Sequence, residues 1–166
     1  QNYIFLTIHR VETIQIQKRL ITILKTLEEI SFEKKIKIIF PAHPRTKKII
    51  TGFKKKMIEG IKIINPCSYK NSLNYINNAK LVVTDSGGLQ EEACILNTPC
   101  VTIRKNTERP ETLKIKSNFL TGYNKKKIRQ GIFKMISKTP SWKHPYNRNV
   151  SLKILNTISK NAKYKK

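Results

Sequence analysis

The chain has 166 residues, of which 34 are lysine or arginine and 10 are aspartate or glutamate, so its formal net charge is +24. A hydrophobic content of 39% suits one ordinary domain with a buried core, and no apolar run is long enough to cross a bilayer, so no membrane partner is expected. The lysines are spread along the whole chain among abundant Ile and Asn, as an AT-rich genome favours. We therefore expect most of the charge on solvated surface. A nucleic-acid contact is the less favoured alternative, and a face for an acidic domain or an anionic membrane surface is the third.

The cysteines indicate a cellular location, and the first residues indicate how the chain relates to a longer protein. Cys67, Cys94 and Cys100 form neither a CxxC pair nor a metal-ligand spacing, so we expect ordinary thiols, no metal site and a reducing, cytoplasmic location. The chain starts directly in a strand-like run, without a signal-type leader. We therefore expect it to be a piece of a longer protein.

Apolar runs of strand length alternate with segments of helical spacing. In chain order, the pattern predicts a strand at 3–8, a helix at 14–31, a strand at 36–40, a helix at 46–58, a strand at 61–65, a helix at 70–79, a strand at 81–85, a turn and helix at 86–96, a strand at 99–104, a strand at 118–122, and helices at 124–138 and 150–161. The apolar side of the first helix is expected to comprise Ile16, Leu20, Ile23, Leu24, Leu27 and Ile30, and that of the second Ile49, Ile50, Phe53 and Met57.

This alternation predicts the fold class. The strands are dense in Ile, Val and Leu, as in a parallel sheet that is buried on both faces. We therefore expect an α/β fold over residues 1–166, a single doubly wound domain with a mainly parallel sheet. In such domains ligands bind beyond the carboxyl ends of the strands. The loops at that edge are HRVET, PAHPRT, NPCSY, DSGG and RKNTERPE.

The turn TDSGGLQEEA carries the strongest signal. Gly87 and Gly88 directly after a strand let the backbone approach a ligand closely, and the amides that begin the next helix favour an anion. The Ser86 hydroxyl can donate to the same phosphate, and Glu91 or Glu92 can accept hydrogen bonds from ribose hydroxyls. On turn chemistry alone, a tight turn with a helix cap and dipole-favoured glutamates explains the segment equally well.

Three further loops contain candidate ligands. Arg104 and Arg109 in RKNTERPE can bind a diphosphate in paired geometry, although a surface loop with ordinary ion pairs is the alternative. His9 with Arg10, and His43 with Arg45, each follow a strand. A histidine there can act as acid or base near neutral pH, although isolated loop histidines are usually only solvated.

Taken together, TIHRVET, PAHPRT, TDSGGLQEEA and TERPE resemble, in this order, the C-terminal half of the UDP-N-acetylglucosamine 2-epimerase family, over essentially the whole chain. The resemblance implies a Rossmann-like domain, one of two that face a cleft as in two-domain glycosyltransferases. It also implies a reaction without a redox cofactor: a proton leaves C2 of the sugar, UDP leaves C1, and UDP adds back with the proton on the other face.

The same resemblance implies the site. His9 matches the family's active-site histidine, and Arg10 and His43 match positions close to the ligand. The residues implied to bind UDP are Ser86, Gly87, Gly88, Glu92 and Arg109. The acidic catalytic residues belong to an N-terminal domain that this chain lacks, so we expect a missing partner domain, a UDP-sugar substrate and an inactive isolated chain. A homodimer is possible in this family.

The chain also departs from the family pattern. Cys67 and Ser72 stand where relatives have a glutamine and an aromatic residue near the uracil, Lys116 stands where a glycine is usual, and HPYNRN at 144–149 replaces an NPYGDG-like segment. The HPRT form of the second loop resembles the UDP-diacetamidouronic acid epimerases. Besides that substrate, two alternatives remain open: a non-catalytic basic module that binds nucleotides or nucleic acid, and a glycosyltransferase.

Overall fold

Six strands and eight helices alternate along the described residues of the computed structural model, which are 2–52, 59–146 and 149–162. The elements are β1 Tyr3–Thr7, α1 Val11–Ile14, α2 Gln17–Lys34, β2 Lys37–Pro41, α3 Pro44–Ile50, β3 Ile61–Ile64, α4 Tyr69–Asn78, β4 Leu81–Thr84, α5 Gly87–Ile95, β5 Cys100–Thr102, α6 Pro110–Lys114, β6 Asn118–Leu120, α7 Lys125–Ile136 and α8 Val150–Ala162.

The strands form one sheet in the order β3-β2-β1-β4-β5-β6, and all five pairings are parallel. This is the strand order of a doubly wound, dinucleotide-binding type of sheet. The order reverses between β1 and β4, which are paired in register from Ile4 with Leu81 to Thr7 with Thr84. The fold class predicted from the sequence is therefore confirmed.

The sheet is buried on both faces because each central strand sends alternate side chains to opposite sides. On β1, Ile4 and Leu6 join the larger core cluster, with α2 and α7 residues, and Tyr3 and Phe5 join the smaller one, with α4 and α5 residues. This explains why the strands read as continuous apolar runs rather than as alternating ones.

The first helical segment differs from the prediction at both ends. The loop HRVET contains the short helix α1, and α2 begins at Gln17 rather than at residue 14. Ile16, expected on the apolar face, is the N-cap of α2 and is 48% exposed. Its apolar spacing is correct but its backbone is not helical (φ −88°, ψ 89°), so the spacing alone misplaced it. The helix runs on to Lys34 because no breaker precedes Lys35, which ends it at φ 49°.

The second predicted helix begins two residues earlier than expected. α3 starts with Pro44, whose ring has no N–H to lose at that position, and His43 caps it by accepting from the amide of Arg45. The rest of that prediction, including Phe53 and Met57, lies at 53–58, outside the described residues. The short helix α6, Pro110–Lys114, has no counterpart among the predicted elements. The other elements agree with the predicted ones to within a few residues.

Close packing of α7 on the sheet edge gives a test of the fold. A Cβ on Gly131 would lie 2.7 Å from Thr121 Cγ2 and 2.8 Å from Phe119 Cδ1. We expect Gly131→Ala to lower the free energy of unfolding by about 1–3 kcal/mol because the added methyl overpacks this contact. Denaturant unfolding measures it. Gly52→Ala is the control, since its Cβ would meet its nearest atom at 3.4 Å. Equal stability of the two variants would contradict the packing.

Two surface properties complete the fold. None of the helices in the described part of the chain combines the length and apolar character that a membrane span requires. The last helix, α8, has no buried residue, and one of its sides is apolar. Its exposed large apolar residues are Val150, Leu152, Ile154, Leu155 and Ile158, of which all but Leu152 share that side.

Candidate functional site

The carboxyl ends of β1 and β4 lie side by side at the point where the strand order reverses. In an open α/β sheet this is the crevice in which ligands bind. The hydroxyls of Thr7 and Thr84, the last residues of the two strands, are 2.7 Å apart. The loops that follow, HRVET and DSGG, therefore leave the sheet together, and they contain most of the candidate residues.

The N-terminus of α5 has no side-chain cap. Ser86 is its N-cap, but the hydroxyl accepts no amide of the first turn. Ser68 and Asn124, in the same position on α4 and α7, do accept such amides, from Asn71 and Lys127. An uncapped first turn leaves amide donors and the positive end of the helix dipole for another acceptor. Since Gly88 is exposed, this acceptor can come from outside the protein.

The glycine pair is surrounded by acidic and polar side chains. A Cβ on Gly87 would lie 3.2 Å from Glu108 Oε2, so a side chain here would crowd the neighbouring loop. A Cβ on Gly88 would be 3.9 Å from both Ser86 Oγ and Glu92 Oε1. Burial and the neighbouring Glu91 raise the pKa of Glu92. The four predicted ligands Ser86, Gly87, Gly88 and Glu92 therefore lie together.

His9 and Arg10 are attached to this turn through Asp85, the residue before Ser86. The fully buried Asp85 carboxylate accepts from the amide of His9 at 3.1 and 3.2 Å and from that of Arg10 at 3.0 Å. The ring Nδ1 of His9 is 3.5 Å from Asp85 Oδ1. Burial raises the pKa of Asp85, and the two amides and His9 oppose the shift. The buried Thr13 hydroxyl faces the same carboxylate without strict hydrogen-bond geometry.

A charged cluster lies beside Gly87. Glu108 pairs with Arg104 at 2.6 Å and with Arg10 at 3.6 Å, and Arg104 is also 3.7 Å from Glu12. The hydrogen bond from Arg104 lowers the pKa of Glu108, so this carboxylate is charged at neutral pH. Arg104, considered from the sequence as a diphosphate ligand, is only 8% exposed at its side chain and contacts carboxylates. Arg10, which pairs with the same Glu108, is 36% exposed at its side chain and remains accessible to a ligand.

Arg109 contacts α5 further along the helix. Its Nε is 2.5 Å from Glu91 Oε1, although without hydrogen-bond geometry, and its Nη1 donates to the carbonyl of Glu108 at 3.0 Å. The guanidinium is therefore held by Glu91 and Glu108. Among the described residues, these contacts do not include the other predicted UDP ligands. Its role toward UDP stays a prediction.

His43 lies on the other side of the crevice. Its Nδ1 accepts from the amide of Arg45 at 3.3 Å, and its ring lines a cavity of about 290 Å³ together with that of His9. The lining residues are Thr7, Ile8, His9, Pro41, His43, Pro66, Cys67, Ser72 and Leu89. The cavity therefore joins the ends of β1 and β2 to Leu89 of α5, and the departures Cys67 and Ser72 both line it.

A larger hollow of about 780 Å³ lies at the opposite end of the sheet, against the start of the strands at Tyr3, Lys37 and Ile61. It contains none of the candidate residues. In doubly wound sheets ligands bind at the carboxyl ends of the strands. We therefore place the site at the cavity of about 290 Å³, although it is the smaller of the two.

Sequence reasoning did not identify Asp85 or Gln90 as parts of the site. The buried Gln90 donates to the carbonyl of Ser86 at 3.1 Å and accepts from Thr107 at 2.5 Å and from Asn118 at 3.1 Å. Both are polar residues next to the glycine pair, and their burial was the missing information. A carboxylate that directly follows the strand-like run LVVT, as Asp85 does, is the signal that could have found the first.

Comparisons with known proteins agree with this geometry. Residues 1–159 match the family model described as UDP-N-acetylglucosamine 2-epimerase. The UDP-N-acetylglucosamine 2-epimerase of Methanocaldococcus jannaschii is 44% identical over 154 residues, which are 90% of this chain and 42% of that protein. The UDP-2,3-diacetamido-2,3-dideoxy-D-glucuronate 2-epimerase of Pseudomonas aeruginosa is 35% identical over 120 residues, 72% of this chain and 33% of that protein.

A solved structure shows the same architecture. The crystal structure of the M. jannaschii UDP-GlcNAc 2-epimerase in complex with UDP-GlcNAc and UDP superposes with a TM-score of 0.86 and 42% identity. The match covers 95% of this chain and 45% of that one. The chain therefore spans less than half the length of the relatives that it matches.

Proposed function

The chain belongs to the UDP-N-acetylglucosamine 2-epimerase family, and we accordingly propose that it is the UDP-binding half of a two-domain enzyme that interconverts UDP-N-acetylglucosamine and UDP-N-acetylmannosamine. Residues 1–166 form its nucleotide-sugar-binding domain, and the acidic catalytic residues lie in an N-terminal domain. The isolated chain binds UDP weakly and does not turn over substrate, because half of the cleft is missing.

The uncapped first turn of α5 is the observation that supports this proposal most directly. It leaves the amides of its first turn without a side-chain cap, with Gly88 exposed and the Ser86 hydroxyl beside it, and these are donors suited to a diphosphate. Arg10 stands close by, held at 3.6 Å from Glu108, which borders Gly87. Together these groups supply both the hydrogen bonds and the positive charge that a diphosphate needs.

The chemistry requires that UDP be held after its bond to the sugar has broken. When the C2 proton leaves, the electron pair of the C1–O bond departs with UDP, and a glycal remains. Donors fixed by the fold stabilise the charge that develops on the leaving diphosphate without reorganising. We assign this role to the first turn of α5 with Arg10 and Arg109, ribose binding to Glu92, and proton transfer near the sugar to His9, with His43 lining the same cavity.

The apolar side of α8 supports a two-domain arrangement. Leu155 and Ile158 are 60% and 59% exposed, and no residue of this helix is buried. The relatives extend well beyond the matched region. We propose that α8 packs on the N-terminal domain of the complete protein, which buries this side; a homodimer is a further possibility for the assembled enzyme.

Calorimetry with UDP and with UDP-N-acetylglucosamine on the chain tests the assignment. We expect Arg109→Ala and Glu92→Ala each to weaken UDP binding by about 1–3 kcal/mol, the range for removing one partner of a charged hydrogen bond. Arg129→Ala is the matched control because its Nη2 pairs with Glu33 at 2.5 Å, as Arg109 pairs with Glu91, but on α7. Unchanged UDP affinity in both site variants would remove the assignment.

Two alternatives make different predictions. The similarity to the P. aeruginosa enzyme supports UDP-diacetamidoglucuronate as the alternative substrate. The identity to that enzyme, 35%, is lower than the 44% identity to the M. jannaschii enzyme. Comparing the two UDP-sugars in the same calorimeter separates them. If the chain is instead a basic binding module, UDP will not raise its Tm, and its retention on DNA or RNA will fall steeply with salt.

A further inference from the structure

Asp85 is a fully buried carboxylate that the proposed chemistry leaves without a role. It follows β4 directly, at the point where the sheet order reverses. A buried carboxylate is unfavourable unless hydrogen bonds and a positive group compensate for the lost hydration. Arginines are close, but Arg104 and Arg10 pair with Glu108 and Glu12. Within the described part of the chain, the basic side chain within ion-pair distance of Asp85 is that of His9.

The carboxylate fixes both the loop and the ring of His9. The amides of His9 and Arg10 point at it, 3.0 to 3.2 Å away, so the start of the HRVET loop is tied to the end of β4. The ring Nδ1 is 3.5 Å from Oδ1. This contact lacks hydrogen-bond geometry in the substrate-free structure, and catalytic contacts of this kind commonly shorten and align when substrate binds.

The two histidines of the cavity have opposite hydrogen-bond environments. His43 Nδ1 accepts from the amide of Arg45, so its neutral ring carries the proton on Nε2. His9 Nδ1 faces a carboxylate, which only accepts, so a proton on Nδ1 is the favoured arrangement of its neutral ring. The His9 side chain is 44% exposed, and its Nε2 is left with a free lone pair.

We propose that Asp85 is the positioning residue of His9: it holds the neutral ring with Nδ1–H toward the buried carboxylate, so that Nε2 is the atom that takes and returns a proton in the cavity. This inference rests on the proposed function for the identity of the reaction, but the ring geometry itself does not. When Nε2 takes a proton, the imidazolium stays paired with Asp85, which keeps its charge throughout.

Nitrogen-15 NMR of the histidine rings of this chain, at a pH where they are neutral, tests the proposal. We expect the Nδ1–H form to predominate at His9 in the unaltered chain and to become the minor form in Asp85→Asn, while His43 keeps the Nε2–H form in both. Glu108→Gln is the matched control, since this carboxylate also lies in the site but pairs with arginines. His9 should be unchanged in it.

The unaltered chain alone decides the matter if Asp85→Asn does not fold: an Nε2–H ring at His9 there would overturn the proposal, and an Nδ1–H ring would support it. A folded Asp85→Asn variant that keeps the Nδ1–H form would also overturn it. UDP calorimetry on the same samples separates the two claims. If the unaltered chain does not bind UDP, the proposed function is contradicted. The NMR result at His9 would still decide the inference about its tautomer independently.

Discussion

His9→Ala should lower the turnover of a complete two-domain protein containing this chain by roughly 10²–10⁴-fold, the range for removing a general acid or base. UDP affinity should change far less. The ring of His9 is 44% exposed on the cavity, whereas its contribution to the loop is the backbone amide that donates to Asp85. Alanine keeps that amide, so the turn that binds UDP keeps its support.

Steady-state kinetics with UDP-N-acetylglucosamine and calorimetry with UDP measure the two quantities on one preparation. His144→Ala is the matched control because its ring stacks on Tyr146, at 6.3 Å between centroids, and does not line the cavity. Its turnover should remain close to that of the unaltered protein. A His9→Ala enzyme with normal kcat, or one that loses UDP binding to the same extent as turnover, would contradict proton transfer by His9.

The fold could be predicted from the sequence because its signals are local. The strand β4 is a short run dominated by apolar residues, and α7 carries apolar residues at helical spacing. Neither signal requires knowledge of distant partners. Where a local signal is ambiguous the prediction fails. Ile16 fits the helical spacing of α2 and also suits its N-cap, and only the backbone at that residue decides between the two.

The site was predictable only in part, for a related reason. The short segment DSGG is enough to predict that the backbone approaches a ligand closely. The residues that support this turn, however, are distant from it in sequence. Asp85 meets the amide of His9, which is 76 residues away, and Gln90 meets Asn118, which is 28 residues away. The direction of Arg109 depends on Glu91, and no spacing rule relates a loop side chain to the helix it will contact. The roles of these residues depend on how deeply each side chain is buried and on which residue it contacts, and neither can be read from the sequence.

Gln90→Leu should affect both the stability of the fold and the affinity for UDP. The side chain is fully buried and connects three segments: the carbonyl of Ser86, the hydroxyl of Thr107 and the amide of Asn118. Leucine has a similar size but no polar atoms, and each buried group left unpaired costs about 1–3 kcal/mol. Asn118 retains bonds to Thr102 and Thr112, and Thr107 retains the bond from the amide of Arg109. Ser86 and Thr107 are only half-buried, so water compensates for part of the loss. We expect roughly 2 kcal/mol of destabilisation in total.

Thermal unfolding measures this effect, at about 2–4 °C of Tm for each kcal/mol in a domain of this size. Thr102→Val is the matched control. It removes a hydroxyl that donates to Asn118 at 2.9 Å, on the sheet side of the same network, and leaves the bonds to Ser86 and Thr107 intact. It should lower stability by about 1 kcal/mol, the usual net value of one hydrogen bond, and leave UDP affinity unchanged.

The effect on UDP affinity has a structural cause that a double-mutant cycle can isolate. The Thr107 hydroxyl, held by Gln90, accepts from the amide of Arg109 at 3.0 Å, so Gln90 fixes the start of the helix that begins after this arginine. If Gln90 acts on UDP through Arg109, the losses in Gln90→Leu and Arg109→Ala will not add in the double variant, since the second change removes what the first misplaces. Simple addition of the two losses would mean that Gln90 acts through Ser86 instead, and a folded Gln90→Leu chain with unchanged UDP affinity would exclude both routes.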